Sequence, residues 1–309
     1  MSLDRLIEAI ARTQNPTVVG LDPKLDFVPQ YIRDAAYDRH GKTLEGAAAA
    51  FLEYNKGLID ALCDIVPAVK PQAAYYEAYG WQGVRTLYET IQYAKSKGVF
   101  VITDGKRNDI GSTMEAYGDA HLGVSRVEDA ELEPFGGDAL TVSAYLGVDG
   151  IQPLLPLCEK YDKGIFALVK TSNPSSGQLQ DRMIDGRTVY SLMGEYCSQW
   201  GAGQIGRYGY GPVGAVVGAT YPAQLQELRA QLPDVFFLVP GYGAQGGGAA
   251  DVAGAFDSRG LGAVVNSSRA ILTAWKKEGC DPADYAAAAR REALRMQQDI
   301  TAHLPAITL

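Results

Sequence analysis

Eight short apolar runs alternating with helix-like segments, and charges gathered where those runs end, predict an α/β protein folded as a single (β/α)8 (TIM) barrel. The runs fall at 17–21, 66–70, 99–103, 139–143, 165–170, 214–218, 235–239 and 262–266. They are rich in β-branched residues and mostly lack polar alternation, the pattern of strands covered on both faces. Eight strand–helix units in about 250 residues fit a closed parallel sheet. A doubly wound open sheet is the rival, and periodicity alone does not separate the two.

The chain opens on Met1-Ser-Leu-Asp-Arg-Leu-Ile-Glu-Ala-Ile, which reads as an amphipathic helix carrying acids and not as a signal peptide. Segments 46–65, 83–97 and 223–231 place apolar residues at helical spacing, and 281–303 reads as a closing amphipathic helix. Two stretches, 26–42 and 175–212, exceed a minimal barrel. The second holds Gly201-Ala-Gly-Gln-Ile-Gly-Arg-Tyr-Gly-Tyr-Gly211, read as a mobile lid or, preferably, a decorated surface loop. No linker or low-complexity tract interrupts residues 1–309, which are therefore read as one domain.

A net charge of −8 argues against a broad nucleic-acid footprint but leaves room for a small basic pocket. Apolar residues make up 47% of the chain and charged ones 21%, the balance of a soluble protein with a sizeable core. Cys63, Cys158, Cys197 and Cys280 lie far apart, as do His40, His121 and His303. No zinc spacing, disulfide framework or Cys/His nucleophile pair emerges from them. Without an 18-residue apolar span no membrane crossing is expected, and a reducing cytoplasm is the expected compartment.

The third run ends in Asp104-Gly-Lys106-Arg-Asn-Asp109. In a strand, i and i+2 share a face, so Asp104 and Lys106 stand side by side, with Asp109 beyond the turn. The first run ends in Asp22-Pro-Lys24 and the second in Lys70. Any one of these is ordinarily a solvated rim charge. Four, namely Asp22, Lys70, Asp104 and Lys106, at corresponding ends of neighbouring strands point to one site at the barrel mouth. Run seven leads into Pro240-Gly-Tyr-Gly-Ala-Gln245-Gly-Gly-Gly248 and run eight into Ser268-Arg269. Glycine-rich backbone after strands seven and eight, with a planar cation beside it, suits a phosphate. Gly241-x-Gly243-x-x-Gly246 also matches a dinucleotide fingerprint, but it lies in the seventh unit with too little chain after it.

Together these motifs resemble the orotidine 5′-phosphate decarboxylase family in its longer bacterial form. Asp104-x-Lys106-x-x-Asp109-Ile110-x-x-Thr113 is similar to the family signature, and Gly20-Leu-Asp22-Pro23, Val69-Lys70-Pro-Gln72, Thr171-Ser172-Asn-Pro174, Pro240–Gln245 and Ser268-Arg269 follow in the family's order, over about 18–272. Gly105 and Asn108 depart from residues common in the family without altering a charge. The resemblance implies decarboxylation of orotidine 5′-phosphate to UMP with no metal or organic cofactor. It makes Lys106 the acid that protonates C6 and sets Asp104 against the departing carboxylate, with Lys70 and Asp109 completing an alternating charge network. It implies a homodimer with a shared site, since Asp109, Ile110 and Thr113 come from the partner subunit. It gives Asp22 and Lys24 the ribose, Ser172 the pyrimidine, Pro240 and Gln245 a closing phosphate loop, and Arg269 the phosphate.

Two other readings remain. A related barrel family of sugar-phosphate decarboxylases and synthases carries a similar aspartate–lysine–aspartate pattern, but holds magnesium with acids on strands two and three. Here strand two ends in Lys70, whose ammonium repels a divalent cation. A non-catalytic nucleotide-binding barrel is the third reading, disfavoured by the presence of Asp104, Lys106 and Asp109 together.

Overall fold

Each predicted run becomes a strand of one closed, all-parallel barrel in the computed structural model, which describes residues 2–243 and 247–309. The strands are β1 (Thr17–Leu21), β2 (Ala68–Pro71), β3 (Phe100–Arg107), β4 (Ala139–Val142), β5 (Gly164–Lys170), β6 (Val213–Val217), β7 (Phe237–Val239) and β8 (Ala263–Ser267). β8 pairs with β1, which closes the sheet and disposes of the open-sheet alternative.

Alternation along the strands divides the protein into two cores. Val18, Ala68, Phe100, Ile102, Ala139, Phe166, Val216, Phe236, Leu238 and Val264 point inward and fill the barrel. Their odd-step neighbours, such as Val19, Val69, Val101, Leu140, Ala167, Ala215 and Val265, pack outward beneath the helices. Phe166 fits the interior because β6 offers Gly214 opposite it; a Cβ there would stand 2.6 Å from the ring.

Helix Ser2–Thr13 closes the bottom by inserting Leu3, Leu6, Ile7 and Ile10 into the interior cluster. The glycine-rich stretch 201–211 lies at this same end, remote from the mouth, so the lid reading fails. It is not free decoration either. Buried Tyr210 stacks edge-on against Phe236 and donates to Asp257 Oδ2 at 2.9 Å. Arg207 N donates to Asp4 Oδ2 in the N-terminal helix. Within 175–212, helix Val189–Gly201 packs on β5 and β6 as the fifth unit's crossover, and a short hairpin of Met183–Ile184 and Arg187–Thr188 precedes it.

Helix Leu44–Leu62 begins where the Thr43 hydroxyl accepts from Gly46 N at 3.2 Å, and helix Tyr285–Thr301 packs against it. No described helix is long and apolar enough to cross a membrane. Leu6→Ala empties a fully buried position in the bottom plug. It should lower stability by about 2–5 kcal/mol in denaturant titrations while leaving kcat/KM near wild type, since the mouth is at the opposite end.

Candidate active site

The inward positions that are apolar at the bottom become charged or polar at the top. On β2, Ala68 is followed by Lys70; on β3, Phe100 and Ile102 are followed by Asp104 and Lys106; on β4, Ala139 is followed by Thr141. Lys70 Nζ donates to Asp104 Oδ2 at 2.6 Å, and Lys106 Nζ donates to Oδ1 at 2.6 Å. The Thr141 hydroxyl also donates to Oδ1, at 2.8 Å. Lys70 and Asp104 are 5% and 6% exposed, so this is a buried charge cluster held by side chains from three adjacent strands.

Burial pushes the Asp104 carboxyl up, but the ammonium groups of Lys70 and Lys106 outweigh it and hold the pKa well below the ordinary carboxylate range. Burial likewise works to lower Lys70, yet Asp104 and then Asp22 outweigh it, and its pKa is raised. Asp22 behaves oppositely: burial raises its pKa more than Lys70 and the Ser268 hydroxyl lower it. Asp22 Oδ1 and Asn266 Oδ1 are both buried without a hydrogen-bond partner.

Two chambers meet over this cluster and share Lys70, Asp104 and Pro240. One, of about 420 Å³, gathers Asp22, Lys24, Pro240 and Arg269 from the segments that follow β1, β7 and β8. In it Lys24 Nζ stands 5.6 Å from the ring centroids of both Phe27 and Tyr75. The other, of about 460 Å³, is bounded by Lys106, Thr141, Ser172, Gln180 and the apolar Leu168 and Val216. Ser172 is placed by a braced loop. Fully buried Lys170 donates to Asp181 Oδ1 at 2.7 Å and Ser176 Oγ at 3.1 Å, while Gln180 makes two hydrogen bonds with Thr171.

The remaining predicted residues stand apart from the chambers. Asp109 Oδ1 accepts from Ile110 N, Ile110 is 52% exposed, and Thr113 is exposed. None of the three lines either chamber of this chain. Gln245 lies outside the described residues. Sequence reasoning missed Thr141, Gln180 and Asn266, which carry no charge; the signal for Thr141 and Asn266 was parity, two residues beyond the inward Ala139 and Val264, whereas Gln180 lies in the loop after β5 and carried none.

The family model described as "Orotidine 5'-phosphate decarboxylase / HUMPS family" matches residues 19–279. The orotidine 5'-phosphate decarboxylase of Rhodopirellula baltica is 47% identical over 300 residues, covering 96% of this chain and 97% of that protein. The chain belongs to the orotidine 5′-phosphate decarboxylase family. The Clostridium novyi decarboxylase is 38% identical over 96% of this chain and 98% of its own length. The structure of Leishmania donovani OMP decarboxylase superposes with a TM-score of 0.74 at 30% identity, covering 98% of each chain. Membership gives this chain a carboxy-lyase activity in pyrimidine biosynthesis.

Asp104→Ala strands the Lys70 ammonium in the interior and should destabilise the fold by about 3–5 kcal/mol near neutral pH. Because the folded pKa of Asp104 is depressed, its contribution is present above the ordinary carboxylate value of about 3.9 and is lost as pH falls below it. Denaturant midpoints of wild type and variant should therefore converge in acid.

Proposed function

We propose that the paired chambers bind orotidine 5′-phosphate and release carbon dioxide and UMP, with Lys106 as the proton donor. The bond from C6 to the carboxylate breaks, its electron pair stays on C6, and a proton from Lys106 Nζ forms the new C–H bond. The ring carbon has no adjacent electron sink, so a fixed ammonium is the group this reaction needs. The observation that carries the reading is the Lys70–Asp104–Lys106 cluster, in which one carboxylate aims Lys106 from 2.6 Å.

Asp104 has a second role in this scheme. A carboxylate about 4 Å from the substrate carboxylate repels it by about 4 kcal/mol at an effective dielectric of 20. That is well short of the roughly 8–23 kcal/mol by which enzymes typically lower barriers. The remainder falls to stabilisation of the carbanion and to binding energy from the phosphate. Arg269, Pro240 and Gln245 take the phosphate, Asp22 and Lys24 the ribose, and Ser172 the pyrimidine. Their placement around the two chambers supports this for all but Gln245.

The site is completed by a second copy of the chain. Asp109, Ile110 and Thr113 line neither chamber of their own chain and lie near a turn whose Tyr145, Leu146 and Val148 are exposed. In the homodimer, Asp109 of the partner subunit supplies the second carboxylate of the network. The metal-dependent alternative is disfavoured because the Lys70 ammonium already stands against Asp104 where a cation would be held. Four free cysteines suit a reducing cytoplasm.

An absorbance assay with orotidylate and no added metal tests the proposal. Lys106→Ala and Asp109→Ala should each lose about 1,000-fold or more in kcat. Mixing the two unfolded and refolding them together should recover up to about a quarter of wild-type activity, since heterodimers rebuild one intact site. No recovery would argue against the shared site, and a fully active Lys106→Ala against the proton donor. Arg269→Ala should lower kcat/KM by about 10- to 100-fold through loss of phosphate contact; an unchanged value removes it from the site.

A further inference from the structure

The edge between β3 and β4 is irregular where the chemistry sits. Thr103 pairs with Leu140, and pairing resumes only at Arg107 with Val142. Asp104, Gly105 and Lys106 therefore face the single residue Thr141, a bulge that bends the strand and re-aims its side chains. Lys106 stands within it at φ +47°, a left-handed conformation unfavourable for a residue with a long side chain. Such a conformation persists only where its surroundings hold it.

Thr141 supplies that hold. Its side chain is 1% exposed on the inward face of β4. The hydroxyl accepts from Lys106 N at 3.0 Å and donates its one proton to Asp104 Oδ1 at 2.8 Å. The same Oδ1 receives Lys106 Nζ at 2.6 Å. One hydroxyl thus fixes the backbone of Lys106 directly and its ammonium through Asp104, closing a ring from Thr141 to Lys106 N, along the lysine to Nζ, to Asp104, and back. A hydroxyl has one proton and two acceptor lone pairs, which permits both bonds at once. Valine has the same shape and makes neither.

We infer that Thr141 is a positioning residue for proton transfer: by tying the strained Lys106 backbone and the Asp104 carboxylate to one hydroxyl, it sets the direction of the Lys106 ammonium. This rests on Lys106 being the proton donor. The effect falls chiefly on the chemical step: Thr141 borders the chamber beside Lys106, whereas the ribose and phosphate chamber, which grips the charged end of the nucleotide, takes no wall from it.

The test compares wild type, Thr141→Val and Thr141→Ser in steady-state decarboxylation of orotidylate, UMP affinity by calorimetry, and thermal unfolding. Thr141→Val should lower kcat by about 10- to 100-fold, the loss expected when a hydrogen bond to a charged group is removed, with UMP affinity within about twofold. Thr141→Ser should recover most of the loss. A merely structural threonine would move the unfolding temperature without splitting kcat from UMP binding, or would be served equally by valine and serine; either result overturns the inference. Should the valine variant not fold, Thr141→Ala against Thr141→Ser makes the same comparison. Wild type inactive on orotidylate would instead refute the functional reading, and this inference with it.

Discussion

Asp104 keeps its negative charge inside the barrel only because two ammonium groups and a hydroxyl stand against it. A carboxylate at that depth is costly unless paired on every side. The partners come from β2, β3 and β4, so their convergence requires the sheet to be closed, twisted and in register. The cluster is therefore both the reason for the architecture at the mouth and a product of it. Lys70 is buried against Asp104, whereas Lys106 is half-exposed and lines the chamber that Ser172 also borders. One lysine balances the charge while the other remains available to a ligand.

The rest of the chain protects that arrangement. The bottom is sealed by apolar side chains from the N-terminal helix, which leaves one polar end and one dry end. The loop after β5 is braced by the fully buried Lys170, and Tyr242 ties the backbone after β7 to Asp299 on the C-terminal helix. A buried lysine is poor value for stability alone, but its several partners define a single loop conformation. Ser172 and Pro240 thus stand on supported backbone, in keeping with the precision that positioning demands.

Legibility followed chemical contrast. The strands stood out because apolar runs differ from everything around them, although β3 continues through Arg107 rather than stopping at Thr103. The bulge within that extension is invisible in sequence because it depends on a hydroxyl across the sheet. Charged positions such as Asp22, Lys70, Asp104 and Lys106 were conspicuous, whereas Thr141 and Asn266 look like ordinary strand residues. The 201–211 glycines suggested mobility; buried Tyr210 among them was the stronger fact, since one anchored aromatic outweighs several flexible neighbours.

The sequence by itself determined the eight-unit alternation, the family signature and the order in which charged groups leave the strands. These are local properties, written in spacing and residue type. Tertiary structure alone decided which groups touch: that Asp104 is shared by two lysines, that Thr141 completes the bulge, and that Asp109 lines neither chamber of its own chain. Such contacts join residues as many as 37 positions apart, as Thr141 and Asp104 are, and barrel closure, a global constraint, sets their distances.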